Sequence, residues 1–111
     1  MAVVQMTKRQ GRFLSFEHHE VIADGATGDY VLIPPLGSEG TKATCTVIAG
    51  AGTGKFQHST STVASVEADT AVWIDWDAGD TTLSVSDTLM APVTALRGVS
   101  VSGEVTIDIL I

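Results

Sequence analysis

The stretch EVTIDILI, residues 104–111, decides the fold of this chain. Its polar and apolar residues alternate, which is the period-two pattern of a strand that buries one face in a sheet. Seven further stretches of strand-forming residues precede it, separated by turn residues such as glycine, proline and aspartate. The sequence therefore predicts strands at 12–22, 30–33, 41–49, 56–66, 71–76, 81–85, 93–101 and 104–111, with a loop at 87–92.

The composition is typical of an all-β domain. The chain has 111 residues, of which 44% are apolar and 17% charged, so it can bury one core but is too short for two domains. No segment carries a sustained helical periodicity. We predict a single small antiparallel β-sandwich (jelly-roll or Ig-like) or a flattened barrel of roughly 7–8 strands. Residues 13–111 form this domain, and residues 1–12 form an extended N-terminal arm.

Charge is unevenly distributed along the chain. The net charge is −7, yet the first sixteen residues contain three basic residues and no acidic one, so they carry +3 and the remainder carries −10. The acidic balance argues against duplex nucleic acid as a partner. The basic segment is either a frayed, solvated terminus or an arm that reaches an acidic neighbour, such as another subunit of the same assembly. In the second interpretation, the partner-binding residues are Lys8, Arg9 and Arg12.

The single cysteine is predicted to be structural. Ala43, Cys45 and Val47 share one face of a predicted strand, where a small buried thiol fits. Nothing nearby in the sequence supplies the base or positive charge that a nucleophilic cysteine needs. The stretch MAVVQM is too short for the apolar region of a secretory signal and precedes the basic residues, so we expect no such signal. No apolar run approaches the roughly 18 residues of a membrane helix. We therefore expect a soluble protein made in a reducing cytoplasm, with no membrane partner.

A glycine-rich segment, AGAGTGK at residues 49–55, has the spacing of a phosphate-binding loop. Lys55 is followed by Phe56, although such a loop needs a Ser or Thr there to bind the metal. The residues beyond have strand character, so no helix N-terminus would face the phosphates. We expect a glycine-rich β-turn with an exposed lysine, and neither nucleotide hydrolysis nor a cofactor.

Two groups of polar residues have metal-ligand chemistry. In EHHE, residues 17–20, a strand would place His18 and Glu20 on one face and the other two on the opposite face, so adjacent residues cannot chelate together. Solvated strand polarity is the favoured interpretation, ahead of a subunit contact and then a metal site. The acidic residues around Gly79 are too few for a calcium loop and predict an ordinary turn; they are Asp75, Asp77 and Asp80.

Two further side chains invite a structural interpretation. On a strand, Trp73 would face away from Ile74 and Trp76, so one of these faces belongs to the core and the other is partly covered at an interface. Arg97 lies on a later strand of a largely acidic chain. It is predicted to be a structural ion-pair partner.

Three stretches resemble small β-rich virion structural proteins of tailed bacteriophages. They are TAVWIDWDAGD at 70–80, followed by a Thr-rich strand, then APVTALRG at 91–98, and the final EVTIDILI. The resemblance covers residues 44–111 in style and 70–111 in detail, whereas the first forty residues match no pattern. It implies a component of the phage particle without saying which one, and it brings no catalytic residues.

Together with the small size, the acidic body and the basic N-terminal segment, this resemblance predicts a capsid decoration (cement) protein. Such a protein binds the outer capsid surface and stabilises the head by bridging capsid subunits. Its partners would be the major capsid protein and copies of itself, with a trimer as one arrangement, and it would lie on the virion after synthesis in the host cytoplasm. Deleting residues 1–12 is expected to abolish capsid binding and leave the domain folded.

Two alternatives stay open at this point. One is a phage tail or neck adaptor, or a fibre-anchoring module. The other is a carbohydrate-binding β-sandwich that stacks sugars on Trp73 or Trp76. An enzyme is not expected, because no set of catalytic residues stands out.

Overall fold

The computed structural model describes residues 2–9, 15–34, 42–89 and 93–111. Within these ranges the chain forms ten β-strands and one short α-helix. In chain order they are β1 (Val3–Gln5), β2 (Thr7–Lys8), β3 (Phe16–Ile22), β4 (Tyr30–Leu32), β5 (Ala43–Ile48), β6 (Thr53–Ser59), α1 (Val63–Glu67), β7 (Ile74–Asp75), β8 (Val85–Leu89), β9 (Ala95–Ser102) and β10 (Val105–Leu110).

The strands form two five-stranded sheets, which confirms the prediction of a small all-β sandwich. Sheet A has the strand order β1-β4-β9-β6-β7, and sheet B has the order β2-β3-β10-β5-β8. All the strand pairs are antiparallel apart from β1 and β4, which are parallel. The strand that decides the fold, β10, lies at the centre of sheet B between β3 and β5.

The main hydrophobic core lies between the two sheets. Sheet A contributes inward-facing residues such as Phe56 and Leu96, and sheet B contributes Val47, Ile107 and Ile109, all of which are buried. Burying one side chain of this size stabilises the fold by about 1.5–3 kcal/mol. The alternation predicted for EVTIDILI is therefore confirmed, because its inward residues fill the core and its outward residues do not.

The outer face of sheet A is covered as well. Helix α1 and residues 71–73 pack over it, and Val66 of the helix is fully buried in a second hydrophobic cluster with Tyr30, Leu32 and Ala95. The outer face of sheet A is thus covered over part of its area, whereas the outer face of sheet B is solvent-exposed. Exposed apolar side chains on that face are Val21, Ile48 and Leu110.

Helix α1 corrects the prediction of one strand over residues 56–66. Strand β6 ends at Ser59, and Thr62 then caps the helix, since its Oγ1 accepts a hydrogen bond from the Ser65 backbone N–H at 3.2 Å. Serine and threonine favour a strand by composition, but they are also preferred helix N-caps. A helix of five residues is too short to show a periodicity that the sequence could reveal.

The strands after α1 also differ from the prediction. Only Ile74–Asp75 of the stretch expected at 71–76 is paired, as β7. The strand expected at 81–85 lies later, as β8, and so occupies part of the predicted loop at 87–92. Thr81 instead forms an isolated bridge with Gly54. Because β8 is an edge strand that only partly buries Val85 and Leu89, its sequence lacks a strong alternation.

The described part of the predicted arm, residues 2–9, is paired with both sheets. Strand β1 adjoins β4 at the edge of sheet A, and β2 adjoins β3 at the edge of sheet B. Met6, between the two strands, is only 7% exposed and packs in the main core. The segment therefore crosses from one sheet to the other. The predicted boundary between residues 12 and 13 lies outside the described residues.

Candidate functional site

Two of the three predicted partner-binding residues lie at one end of sheet B. Lys8 pairs with Phe16 across β2 and β3, and its side chain is exposed. Arg9 follows, and it donates hydrogen bonds from its backbone N–H to the Ser15 carbonyl oxygen (2.9 Å) and from its guanidinium to the Ser15 hydroxyl (3.4 Å). The third predicted residue, Arg12, lies outside the described residues.

The strand register brings another basic residue to the same end. Ile111 exchanges backbone hydrogen bonds with Phe16 on one side, and the preceding Leu110 pairs with Thr44 of β5 on the other. Lys42 directly precedes β5 and is exposed. Lys8, Arg9 and Lys42 therefore form a group that we call the basic end of sheet B.

The opposite end of sheet B is acidic. Val105, at the start of β10, pairs with Ile22, at the end of β3, and the flanking residues there are Asp24 and Glu104. The Asp24 carboxylate accepts a hydrogen bond from the Gly103 backbone N–H at 2.8 Å. Six residues of strand separate the two ends by about 20 Å. The charge asymmetry seen along the sequence is thus also an asymmetry along the sheet.

The EHHE stretch lies on β3 with the predicted alternation. His18 and Glu20 face inward and are partly buried, and their Nε2 and Oε1 atoms lie 3.1 Å apart. Glu20 also accepts hydrogen bonds from the Asp29 backbone N–H. On the outer face, His19 Nδ1 lies 2.5 Å from Asp108 Oδ1. No group of three or more His, Cys, Asp or Glu side chains in the described ranges is arranged to hold a metal ion.

Two of the three acidic residues near Gly79 lie beside Lys55. The Lys55 ammonium lies 3.2 Å from Asp75 and 3.8 Å from Asp80. Hydrogen bonds from Gln57 and Lys55 lower the pKa of the Asp75 carboxyl. Gly79 has a φ of 63°, so the predicted turn is present. Lys55 therefore lies within strand β6, and its side chain is partly buried in an ion-pair cluster, so the prediction of an exposed lysine in a turn is wrong. The strand continues past Lys55 as predicted, without the helix of a phosphate-binding loop.

The prediction that Arg97 is an ion-pair partner is wrong for the residues described. Its Nε donates to Gln57 Oε1 at 2.7 Å, and one terminal N–H group donates to the Tyr30 hydroxyl at 3.3 Å. The Tyr30 hydroxyl in turn donates to Asp69 at 2.6 Å, and this bond raises the Tyr30 pKa. The guanidinium also covers the Trp73 ring. Arg97 therefore links the outer face of sheet A to the segment that covers it, directly at Trp73 and through Tyr30 at Asp69.

A cavity of about 220 Å³ opens between the sheets at their β7 and β8 edges. Its walls are largely apolar and aromatic, and Phe56 and Trp76 pack there with ring centroids 5.1 Å apart. Two carboxylates and one imidazole also line it. The lining residues are Cys45, Phe56, His58, Trp76, Asp77, Asp87, Thr88, Leu89 and Leu96.

Cys45 lies at this cavity but is not activated. The residue is 2% exposed, and burial, with a smaller effect of the Asp87 charge, raises the pKa of its thiol to about 12. A nucleophilic cysteine needs the opposite shift, because the thiolate is the reactive form. The prediction of a small buried side chain on the face shared with Ala43 and Val47 is confirmed.

Comparison with known proteins returns no relative. No family model matches the chain, and no curated protein or solved structure is similar to it. The single helix in the described part of the chain has five residues and is far too short and polar to cross a bilayer.

Three residues at these sites were missed from the sequence alone. Lys42 is isolated in the chain, and only the pairing of β10 with both β3 and β5 brings it to the basic end. His58 and Asp87 are 29 positions apart in the chain. Both line the cavity because it lies between the two sheets, with β6 in sheet A and β8 in sheet B. Alternate residues of a strand face the same side, so β6 would have predicted that His58 faces inward with Phe56. This prediction needs the point at which β6 ends and α1 begins, which the sequence did not show.

Proposed function

We propose that this chain is a bacteriophage capsid decoration protein that binds the outer capsid surface through the basic end of sheet B. The observation that carries the proposal is the concentration of Lys8, Arg9 and Lys42 at one end of a molecule whose net charge is −7. The resemblance of residues 70–111 to phage structural proteins supplies the class of particle.

The proposed mechanism is avidity at a charged contact. Each basic end would pair with acidic residues of the major capsid protein or of a neighbouring copy, and single contacts of this kind are weak. Many copies on one shell would add their binding energies. Because they bind the assembled shell and not its dissociated subunits, they would stabilise the shell by linkage.

A charge-neutralising variant tests the basic end. We expect Lys8→Gln/Arg9→Gln/Lys42→Gln to lose most capsid binding when purified protein is mixed with undecorated capsids and sedimented through a sucrose gradient. The matched control is Thr60→Glu/Thr82→Glu/Ser84→Glu, which changes the net charge by the same −3 at three exposed positions. Equal binding of the two variants would exclude the basic end as the contact.

Point substitutions are preferable to deleting residues 1–12. Residues 3–8 supply an edge strand to each sheet and Met6 to the core, so a deletion would expose both edges and remove core contacts. Loss of capsid binding by the deletion variant would then not distinguish unfolding of the domain from the loss of a capsid contact.

The number of copies per particle distinguishes a decoration protein from the alternative, a component of the neck or tail. A decoration protein is present in hundreds of copies, whereas a neck or tail component is present in roughly six or twelve, as ring symmetry requires. Quantitative mass spectrometry of purified particles distinguishes the two.

Neither tryptophan is the exposed platform that a carbohydrate-binding module needs. Trp76 is 8% exposed and packs against Phe56, while one face of Trp73 is covered by Arg97. Sugar stacking requires an accessible aromatic face. The structure therefore does not support sugar stacking on either tryptophan.

A further inference from the structure

The cavity between the β7 and β8 edges is large enough for a small organic molecule. An apolar cavity of about 150 Å³ accommodates benzene, and this one measures about 220 Å³. It lies between the edge strands of the two sheets, where the sandwich is open, so a ligand could enter from solvent. Its apolar walls would take the hydrocarbon body of such a ligand.

His58 contributes an imidazole to the lining of the cavity. Its Nδ1 atom has no hydrogen-bond partner among the described residues, but that atom has almost no accessible surface. A ligand in the cavity therefore does not contact Nδ1, and the chemistry of the ligand follows from the other lining residues.

The charged residues that line the cavity determine which ligand charge it favours. Asp77 and Asp87 line it, and no lysine or arginine does so among the described residues. One oxygen of Asp87 accepts the Thr88 backbone N–H at 2.8 Å, and the carboxylate retains further acceptor positions. Trp76 adds an aromatic ring, which attracts cations. Carboxylates and an aromatic wall together favour a cation and disfavour an anion.

We infer that this cavity binds an organic amine, with the hydrocarbon body against Phe56 and Trp76 and the ammonium group toward the carboxylates of Asp77 and Asp87. The inference is independent of the proposed capsid function, because it rests on the cavity alone.

Three probes of matched size test this inference. Benzylamine, benzyl alcohol and benzoate share one ring and differ in charge. In a ¹H–¹⁵N NMR titration of the full chain, we expect benzylamine to shift the Trp76 indole N–H and the backbone amides of His58 and Leu89. Benzyl alcohol should bind roughly two- to fivefold more weakly, the size of effect that exposed charges give, and benzoate more weakly still. Benzoate or benzyl alcohol binding as tightly as benzylamine, or shifts that map elsewhere, would overturn the inference.

Variants separate the charges from the cavity. Asp77→Asn/Asp87→Asn changes two exposed residues and should reduce benzylamine affinity to that of benzyl alcohol, whereas Glu67→Gln, an exposed position away from the cavity, should not. An unchanged preference for benzylamine over benzyl alcohol in the asparagine variant would count against the proposed charge selection.

Discussion

The guanidinium carbon of Arg97 lies 4.3 Å from the centroid of the Trp73 ring. Trp73 is also tilted against Tyr30, with ring centroids 5.0 Å apart, and Arg97 lies 5.4 Å from the Tyr30 ring. Arg97 therefore lies against the Tyr30 ring of sheet A and the Trp73 ring of the covering segment, and its planar guanidinium donates hydrogen bonds to Gln57 and Tyr30 as well. This arrangement needs arginine and not merely a positive charge.

The first prediction concerns Arg97. We expect Arg97→Lys to lower the free energy of unfolding by about 1–2 kcal/mol, because lysine lacks the planar group that stacks on Trp73 and the Nε that binds Gln57. Urea denaturation followed by tryptophan fluorescence measures it. Arg9→Lys is the matched control, since the Arg9 guanidinium makes one long hydrogen bond, to Ser15, among the described residues, and this substitution should change stability by less than about 0.5 kcal/mol. Equal effects of the two substitutions would contradict the stacking role.

The second prediction concerns Gly98, which faces the core from β9. A Cβ atom there would lie 2.6 Å from Ile22 Cδ1 and 2.8 Å from Ile107 Cδ1. We expect Gly98→Ala to destabilise the protein by about 1–3 kcal/mol through overpacking. Adding Ile22→Val removes the closest methyl group, so the double variant should be less destabilised than the sum of the two single changes. Simple additivity in thermal denaturation would contradict this account.

The third prediction concerns Cys45 at high pH. The folded-state pKa, about 12, lies above the ordinary value of 9.0, so the folded protein keeps the thiol protonated where the unfolded chain releases the proton. The stabilisation is therefore complete below about pH 9 and is lost as the pH rises toward 12. Between about pH 9 and 10.5, stability should fall by about 1.5 kcal/mol more in the native protein than in Cys45→Ala.

The alanine variant is needed because Tyr30 also has a raised pKa and contributes a loss of stability in the same direction at high pH. That contribution is common to both proteins and cancels in the comparison. Parallel stability profiles across this pH range would show that the thiol is not protected in the folded state.

The fourth prediction concerns the cap of α1. Thr62→Ala removes the hydroxyl that accepts the Ser65 N–H and should cost about 1 kcal/mol. Thr60→Ala, at an exposed position just before the cap, should be nearly neutral. Hydrogen exchange at the α1 amides should accelerate only in the Thr62 variant. Faster exchange in both variants would indicate that the loop, and not the cap, holds the helix.

The fold could be predicted where burial and periodicity coincide. The alternations of β5 and β10 place Cys45, Val47, Ile107 and Ile109 on core faces, and the pattern alone shows this. Prediction from the pattern fails at Thr62, because threonine is common both within strands and as a helix N-cap. It also fails in β8, because an edge strand can leave Ser86, Asp87 and Thr88 exposed and so carries almost no hydrophobic signal.

The sites depend on pairing that a single sequence does not contain. Lys8 and Arg9 are adjacent in the chain and were predicted to act together, but Lys42 joins them only through the register of sheet B. Arg97 was expected to pair with an acid because the chain is acidic. Its neighbours are instead the two rings and the amide that sheet A and its covering segment place around it.

The central position of β10 has a consequence for the order of folding. β3 and β5 are synthesised before β10, and each hydrogen-bonds to it along one edge, so sheet B has a gap in its middle until the latest strand is made. The interior of the sandwich cannot close before then, because Ile107 and Ile109 are missing from it. Contacts so distant in sequence slow folding. The newly made chain would therefore depend on residues 105–110, more than on any helix or hairpin formed earlier, to bury its apolar surface.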